Sequence, residues 1–288
     1  SALTAPLQTG DIQGAYGVQY DNYSLFEGNP GYEIHSCATS RCFFGQFNFD
    51  SEIVQDQNIR KAIAMGIDKE GFCTVIMEGR GLPAAGAFPS SFSYGNEAVS
   101  TVSYDPEGAK ALLEESGWTD TDGDGYADKD GETLTIRWLT YPTRLEQPKL
   151  AEYAQATLKE IGIQVEVNNT SDHMTYAAEG EFDVYVSSVT TAPTGDPEYF
   201  FTSTVTGAKN YGNYENPEVT ALTEQLHQTF DTEQREELAV QLQQQILDDD
   251  AFFFVSHLNM GIVTQSNVTG IEAHPCDYYE ITAELNVE

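Results

Sequence analysis

Two stretches of this sequence carry residues whose types and spacing suggest chemistry. The first is Asp120-Thr-Asp122-Gly-Asp124-Gly125-Tyr-Ala-Asp128-Lys-Asp130-Gly131-Glu132. Carboxylates at alternate positions around glycine turns can wrap a hard cation such as calcium. With Asp120 counted first, Gly125 takes the sixth place, as a helix–loop–helix calcium site requires. Gly131, however, holds the twelfth place where that site needs Glu, and Glu132 comes one residue late. A strand follows where a helix should. Asp120, Asp122, Asp124 and Asp128 are therefore read in two ways, as calcium ligands or as an acidic turn joining Trp118 to the strand near 133. The second stretch is Thr190-Thr191-Ala-Pro-Thr194-Gly-Asp196-Pro-Glu-Tyr199-Phe200. It places three hydroxyls at the end of an apolar strand, then a helix start with Asp196 at the cap, Pro at the first helical position and an acid in the first turn. A strand end, an irregular loop and a helix N-terminus leave backbone N–H groups converging on one place, which suits a ligand.

Other candidates are placed by their neighbours. Arg41 precedes an apolar run, where its fork can hold a ligand carboxylate or one of the chain's many acids. Tyr199 and Phe200 can wall a pocket. Asn210 and Tyr211 stand in a Gly-containing loop that can reach a cleft, and His257 follows an apolar strand, where it can face one. Asp196 has helix capping as its plain role and a cationic ligand group as the alternative. The threonines have turn chemistry as theirs.

No catalytic set emerges. The sequence lacks a G-x-S-x-G elbow, a P-loop and an H-E-x-x-H pair, and Gly79-Arg80-Gly81 does not extend to a dinucleotide fingerprint. The histidines are scattered. A hydrolase built on two carboxylates stays open as an alternative, because acid pairs abound by chance in so acidic a chain.

The 288 residues carry 46 acids against 13 bases, a net charge of −33. That argues against nucleic acid or an anionic membrane as partner, since phosphate binding needs clustered Lys and Arg. It fits solubility or attraction of a cationic solute. No apolar run approaches the roughly 20 residues that span a bilayer. Ser1-Ala-Leu-Thr lacks the basic start and apolar core of a signal peptide, which in a trimmed chain does not imply a cytoplasmic home. The four cysteines, Cys37, Cys42, Cys73 and Cys276, allow three full pairings and form no CxxC, so a zinc site is not expected.

The elements that must position these residues read as α/β. A strand is expected at 42–49, a helix over 56–78 with Ile59, Ile63 and Ile67 on one face, and a loop at 79–89. Asp105-Pro106-Glu107 opens a helix that ends at Gly117. Strand 133–139, helix 148–161 and strand 163–167 form a β-α-β unit and imply a parallel pair. A short helix at 173–179, a strand at 182–189, helices at 216–229 and 231–249, a strand at 251–255 and a further one at 260–264 complete the order.

Several segments in sequence resemble one family. They are Asn58-Ile-Arg-Lys-Ala-Ile-Ala-Met-Gly-Ile-Asp-Lys69, Tyr104-Asp-Pro-Glu107, Gly117-Trp118 with the Asp-Gly turn, and Lys159-Glu-Ile-Gly-Ile163. Gly195-Asp-Pro197, Tyr214-Glu-Asn-Pro-Glu-Val219 and Val268-Thr-Gly270 follow. Together they resemble the extracytoplasmic solute-binding proteins of ABC importers in the oligopeptide, dipeptide and nickel class (solute-binding protein family 5). The resemblance implies a periplasmic-binding-protein-like (type II) fold, with a mixed sheet flanked by helices and crossover strands from a first lobe. It covers the C-terminal half of the family pattern, so the chain is expected to be a fragment. Residues 1–49 would be a first-lobe remnant and crossover, 50–255 the second lobe, and 256–288 a return to the first.

By the same resemblance the protein is a binding component and not an enzyme. It would act as a monomer with no required cofactor, in the periplasm or as a cell-surface lipoprotein. A small peptide, nickel or a nickel chelate is its expected solute, and a membrane ABC permease its partner. The loop at 190–200 would line the cleft. Where peptide binders place an aspartate for the ligand's ammonium, this chain has Pro193, and Ala192-Pro193 resembles the nickel-type members. Those carry aromatic residues at the positions held here by Thr190 or Thr191 and by Thr194, and no histidine occurs in the 200–212 loop. A metal would then arrive as a chelate. One lobe alone is expected to bind weakly. A calcium-stabilised extracellular module and an acid-rich secreted hydrolase remain the competing readings.

Overall fold

In the computed structural model, residues 3–18, 20–276 and 281–288 are described. Seven strands form one mixed sheet: β1 (Gly14–Tyr16), β2 (Tyr32–Phe47), β3 (Gly81–Pro83), β4 (Thr135–Thr140), β5 (Gln164–Asn169), β6 (Val184–Thr190) and β7 (Phe252–Gln265). Their order is β1-β7-β2-β6-β4-β5, with β3 paired to β7. β4 runs parallel to both β5 and β6, and the remaining pairs are antiparallel. The helices that matter are α1 (Gln57–Gly66), α2 (Pro106–Glu115), α3 (Glu146–Glu160), α4 (His173–Ala178), α5 (Pro217–Gln228) and α6 (Thr232–Asp248).

Alternation along the strands sends side chains to two cores. On one face Phe43, Phe47, Trp138, Val184 and Phe253 pack against Ile59, Ile63, Leu113, Leu150 and Leu158 of α1, α2 and α3. On the other, Phe44, Phe252 and Phe254 meet Val219, Leu226, Leu242 and Ile246 of α5 and α6. Helices thus cover both faces of the sheet. Their starts follow the capping residues. Asp105 accepts from Gly108 N at 2.9 Å, Asn216 from Glu218 N at 2.8 Å, and Asp231 from Gln234 N at 3.0 Å.

The β4-α3-β5 unit is parallel, as the sequence implies. Three other expectations change. The helix expected over 56–78 stops at Gly66, because Asp68 takes an extended backbone and caps a separate short turn through Gly71 N. The loop at 79–89 contributes β3, which pairs with Leu258, His257 and Ser256. The two strands expected at 251–255 and 260–264 are one, since residues 256–259 keep an extended partner on β2 or β3. Gly261 inside it is needed, because a Cβ there would overlap the Tyr23 hydroxyl.

β2 and β7 are therefore both long, 16 and 14 residues. Their pairing breaks register between Ala38 and Cys42. Beyond the break they carry β1 and a separate small core of Leu7, Ala15, Val18, Tyr23, Phe26 and Val263. Among the described residues, Cys37, Cys42, Cys73 and Cys276 form no disulfide.

Candidate functional site

The parallel strands β4 and β6 deliver their carboxyl ends to one side of the sheet, the position where open α/β sheets leave a crevice. The segment after β4 borders two cavities there. One, of about 460 Å³, is lined by Thr143, Arg144, Glu146 and Lys149 at the start of α3, by Leu258–Gly261 of β7, and by Gly17, Val18 and Tyr23. It therefore lies between the small core beyond the register break and the helix-flanked sheet. Arg80 stacks over the Tyr23 ring at 4.2 Å and pairs with Glu27. Arg144 and Lys149 make no ion pair among the described residues.

The second cavity, about 180 Å³, is an aromatic cup lined by Tyr141, His173, Tyr185 and Tyr211, with Phe44 and Gln46 of β2. The His173 and Tyr141 rings are 4.3 Å apart, and Tyr185 meets Tyr211 edge-on at 5.6 Å. His173 Nδ1 lies 2.8 Å from the Tyr185 hydroxyl. Burial lowers the His173 pKa from its ordinary value and raises that of Tyr185, so both groups are neutral at neutral pH.

The residues expected from the sequence are mostly placed elsewhere. Thr191 is fully buried, its hydroxyl donating to the carbonyls of Ser40 (2.8 Å) and Ala87 (2.7 Å); it ties the loop to β2. Thr190, 7% exposed, faces Arg41 across the β2–β6 pair. Thr194 is exposed. Asp196 caps the turn through Glu198 N at 2.9 Å and is held by Arg235 at 2.7 and 2.9 Å, so its charge is already matched within the fold. Tyr199 accepts from Lys209 Nζ at 3.0 Å. Asn210 closes its own loop by bonding both Tyr214 N and Tyr214 O. His257 lies within β7, opposite Cys42 on one side and Leu82 on the other; it is fully buried and 3.3 Å from Asn96 Oδ1. It lines none of these cavities, because β7 continues where a strand end was expected. Arg41 lines a third, more apolar cavity of about 590 Å³ with Tyr16, Ile262 and Val268. Of the expected set, only Tyr211 reaches the aromatic cup.

The acidic loop gathers Asp120, Asp122 and Asp124, whose oxygens lie within 4.8 Å of one another. Asp128 does not join them: it accepts from Thr121 N (2.8 Å) and Thr121 Oγ1 (2.6 Å), bonds that lower its pKa. The other three accept from backbone N–H groups of Gly123, Gly125, Asp124 and Tyr126. These are the bonds of an acidic turn.

Tyr141, His173, Tyr185, Gln46, Arg144 and Lys149 were not legible as a site. The available signal was position: Tyr141 directly follows β4, and His173 opens the helix after β5.

Comparison with known proteins identifies the family and the fold. The chain is 28% identical to the oligopeptide-binding protein AppA of Bacillus subtilis over 98% of its own length and 53% of AppA. It is 25% identical to the nickel-binding periplasmic protein of Escherichia coli over 93% of its length and 53% of that protein. It spans about half the length of these relatives. The crystal structure of a nickel ABC transporter protein from Bacillus halodurans superposes with a TM-score of 0.84 at 28% identity, covering 100% of this chain and 60% of that one. The sequence model describing bacterial extracellular solute-binding proteins, family 5, matches residues 1–212, and to that family this chain belongs.

Proposed function

We propose that the chain is part of the substrate-binding component of an ABC importer, with the carboxyl ends of β4 and β6 as one wall of its solute cleft. It binds and delivers, without chemistry of its own, and works outside the cytoplasm with a membrane permease. The passage between lobes lies at the register break of β2 and at residues 257–259 of β7. Closure around a solute requires better contacts in the closed state than in the open one. The relatives' names point to peptides and nickel, so the solute is a peptide or a metal chelate that bears a carboxylate.

One observation carries this reading: Arg144 and Lys149 line the 460 Å³ cavity beside Glu146 and make no ion pair among the described residues, in a chain with 46 acids and 13 bases. Cations that no described acid pairs suit an anionic group of the solute. Native mass spectrometry of the protein purified from its source should show a co-purifying peptide or chelate. Replacing both Arg144 and Lys149 with Ala should weaken its binding by about tenfold or more. A retained solute that lacks any acidic group, bound equally by both proteins, would end this reading.

A further inference from the structure

Asparagine, then any residue but proline, then Ser or Thr is the acceptor sequence for an N-linked sugar. Four such triplets occur in this chain: Asn22-Tyr-Ser24, Asn168-Asn-Thr170, Asn169-Thr-Ser171 and Asn267-Val-Thr269. The fold separates them. Asn267 Nδ2 donates to the Glu288 carbonyl at 2.9 Å, so its amide is already used. Asn22 is half-buried in a short 3-10 turn, directly before Tyr23 of the small core. Asn168 is half-buried as well, whereas Asn169 and Ser171 are both exposed. Neither the Asn169 amide nor the Ser171 hydroxyl makes a hydrogen bond among the described residues; the Thr170 hydroxyl between them accepts from Asp172 N at 3.2 Å. Asn169 also stands at an open edge. It is the last residue of β5, and β5 ends the sheet, with β4 on one side and no strand on the other among the described residues. Gln164 N donates to Leu134 O at 2.9 Å, so the alternate residues 165, 167 and 169 turn their backbone groups to the open side. There the Val165 carbonyl is capped by Gln155 Nε2 of α3 at 2.7 Å. Val167, the next outward residue, is 36% exposed. Open backbone groups beside an exposed Val invite pairing with another chain, and natural sheets shield such edges.

We propose that Asn169 is an N-glycosylation site, that it takes an oligosaccharide from a polyprenyl-phosphate carrier, and that the sugar shields the open edge of β5. In the transfer, Asn169 Nδ2 bonds to the anomeric carbon of the sugar. The bond from that carbon to the carrier's phosphate oxygen breaks, the phosphate leaves with the electron pair, and the amide gives up one proton to the transferase. The product is a bulky, hydrated and solubilising group, which only a surface position accommodates. Val167 lies two residues before Asn169 and so on the same face, within the cover of a sugar rooted there. Such carriers present their sugar outside the cytoplasm, so the site depends on the extracytoplasmic location proposed above.

The test is peptide mapping of the protein purified from its source, with electron-transfer fragmentation of the peptide that spans residues 168–171. The added sugar mass should sit on Asn169. Ser171→Ala destroys only the Asn169 triplet and leaves Asn168-Asn-Thr170 whole, so the same protein made in the same source with this substitution should lose the sugar mass from Asn169 completely. The Ser171 hydroxyl is exposed and unbonded, so Ser171→Ala should leave the Tm of the sugar-free chain unchanged, which separates loss of the sugar from loss of the fold. A bare Asn169 on protein recovered from outside the cytoplasm overturns the glycan and leaves the importer reading standing. Bare protein found only in the cytosol overturns the glycan together with the proposed location. Sugar on Asn168 in place of Asn169, or a sugar on Asn169 that survives Ser171→Ala, would also overturn the proposal.

Discussion

Asp183 ties three elements together at the foot of β6. Its carboxylate is 2% exposed and accepts from Ser51 Oγ (2.7 Å), Arg137 N (2.7 Å) and Arg137 Nη2 (2.6 Å). The hydrogen bond to Asp183 is the main cause that raises the Arg137 pKa above its ordinary value. Asp183→Ala strands these donors, and a loss of about 3 kcal/mol is expected, read as a lower urea midpoint at constant m. His257 sets a different dependence. Burial drives its pKa from 6.5 down to about 3. The unfolded chain takes up a proton near pH 6.5 that the folded chain refuses until about 3. Stability therefore falls as pH drops through that window, by about 1.4 kcal/mol per unit from this group. His257→Gln should flatten that part of a denaturation series between pH 6 and 4. An unchanged slope would show that the imidazole accepts its proton without unfolding.

At the scale of elements, β7 meets its neighbours too closely for an ordinary side chain at two points. A Cβ on Gly45 would overlap the Phe253 ring, and one on Gly261 the Tyr23 hydroxyl. Gly45→Ala should cost about 1–3 kcal/mol through overpacking, measured by thermal or urea unfolding. Much of this architecture was readable. The β4-α3-β5 unit follows from alternation and a 3.6-residue stripe, and α2, α5 and α6 follow from Asp105, Asn216 and Asp231 at their caps. The continuity of β7 was not readable, because only tertiary pairing with β2 and β3 shows that His257 sits mid-strand. The candidate site was less legible still. Thr191 and Asp196 look like ligand groups in sequence because their partners, Ser40, Ala87 and Arg235, lie far along the chain. Tyr141, His173 and Tyr185 look unremarkable there for the same reason: their meeting is a product of sheet order.

For the whole molecule, a net charge of −33 is a long-range repulsion that the fold must overcome. The ion pairs Arg235–Asp196 and Arg137–Asp183 offset only part of it. Raising monovalent salt from 0.1 to 1 M shortens the screening length from about 10 to 3 Å, so Tm should rise with KCl and NaCl alike. A Tm that is flat in KCl but climbs with sub-millimolar calcium would instead indicate a specific ion at Asp120, Asp122 and Asp124.

The register break has a mechanical consequence. Between Ala38 and Cys42, β2 leaves its ladder with β7, and the main chain of Ser40 turns instead to Pro275 O (2.6 Å) and Thr191 N (2.8 Å). The ribbon is thus pinned at its weakest point to the segment that leaves β6. A tug on residues 190–192 would pass to β2 through the Ser40 carbonyl and on to the Pro275 segment through the Ser40 N–H.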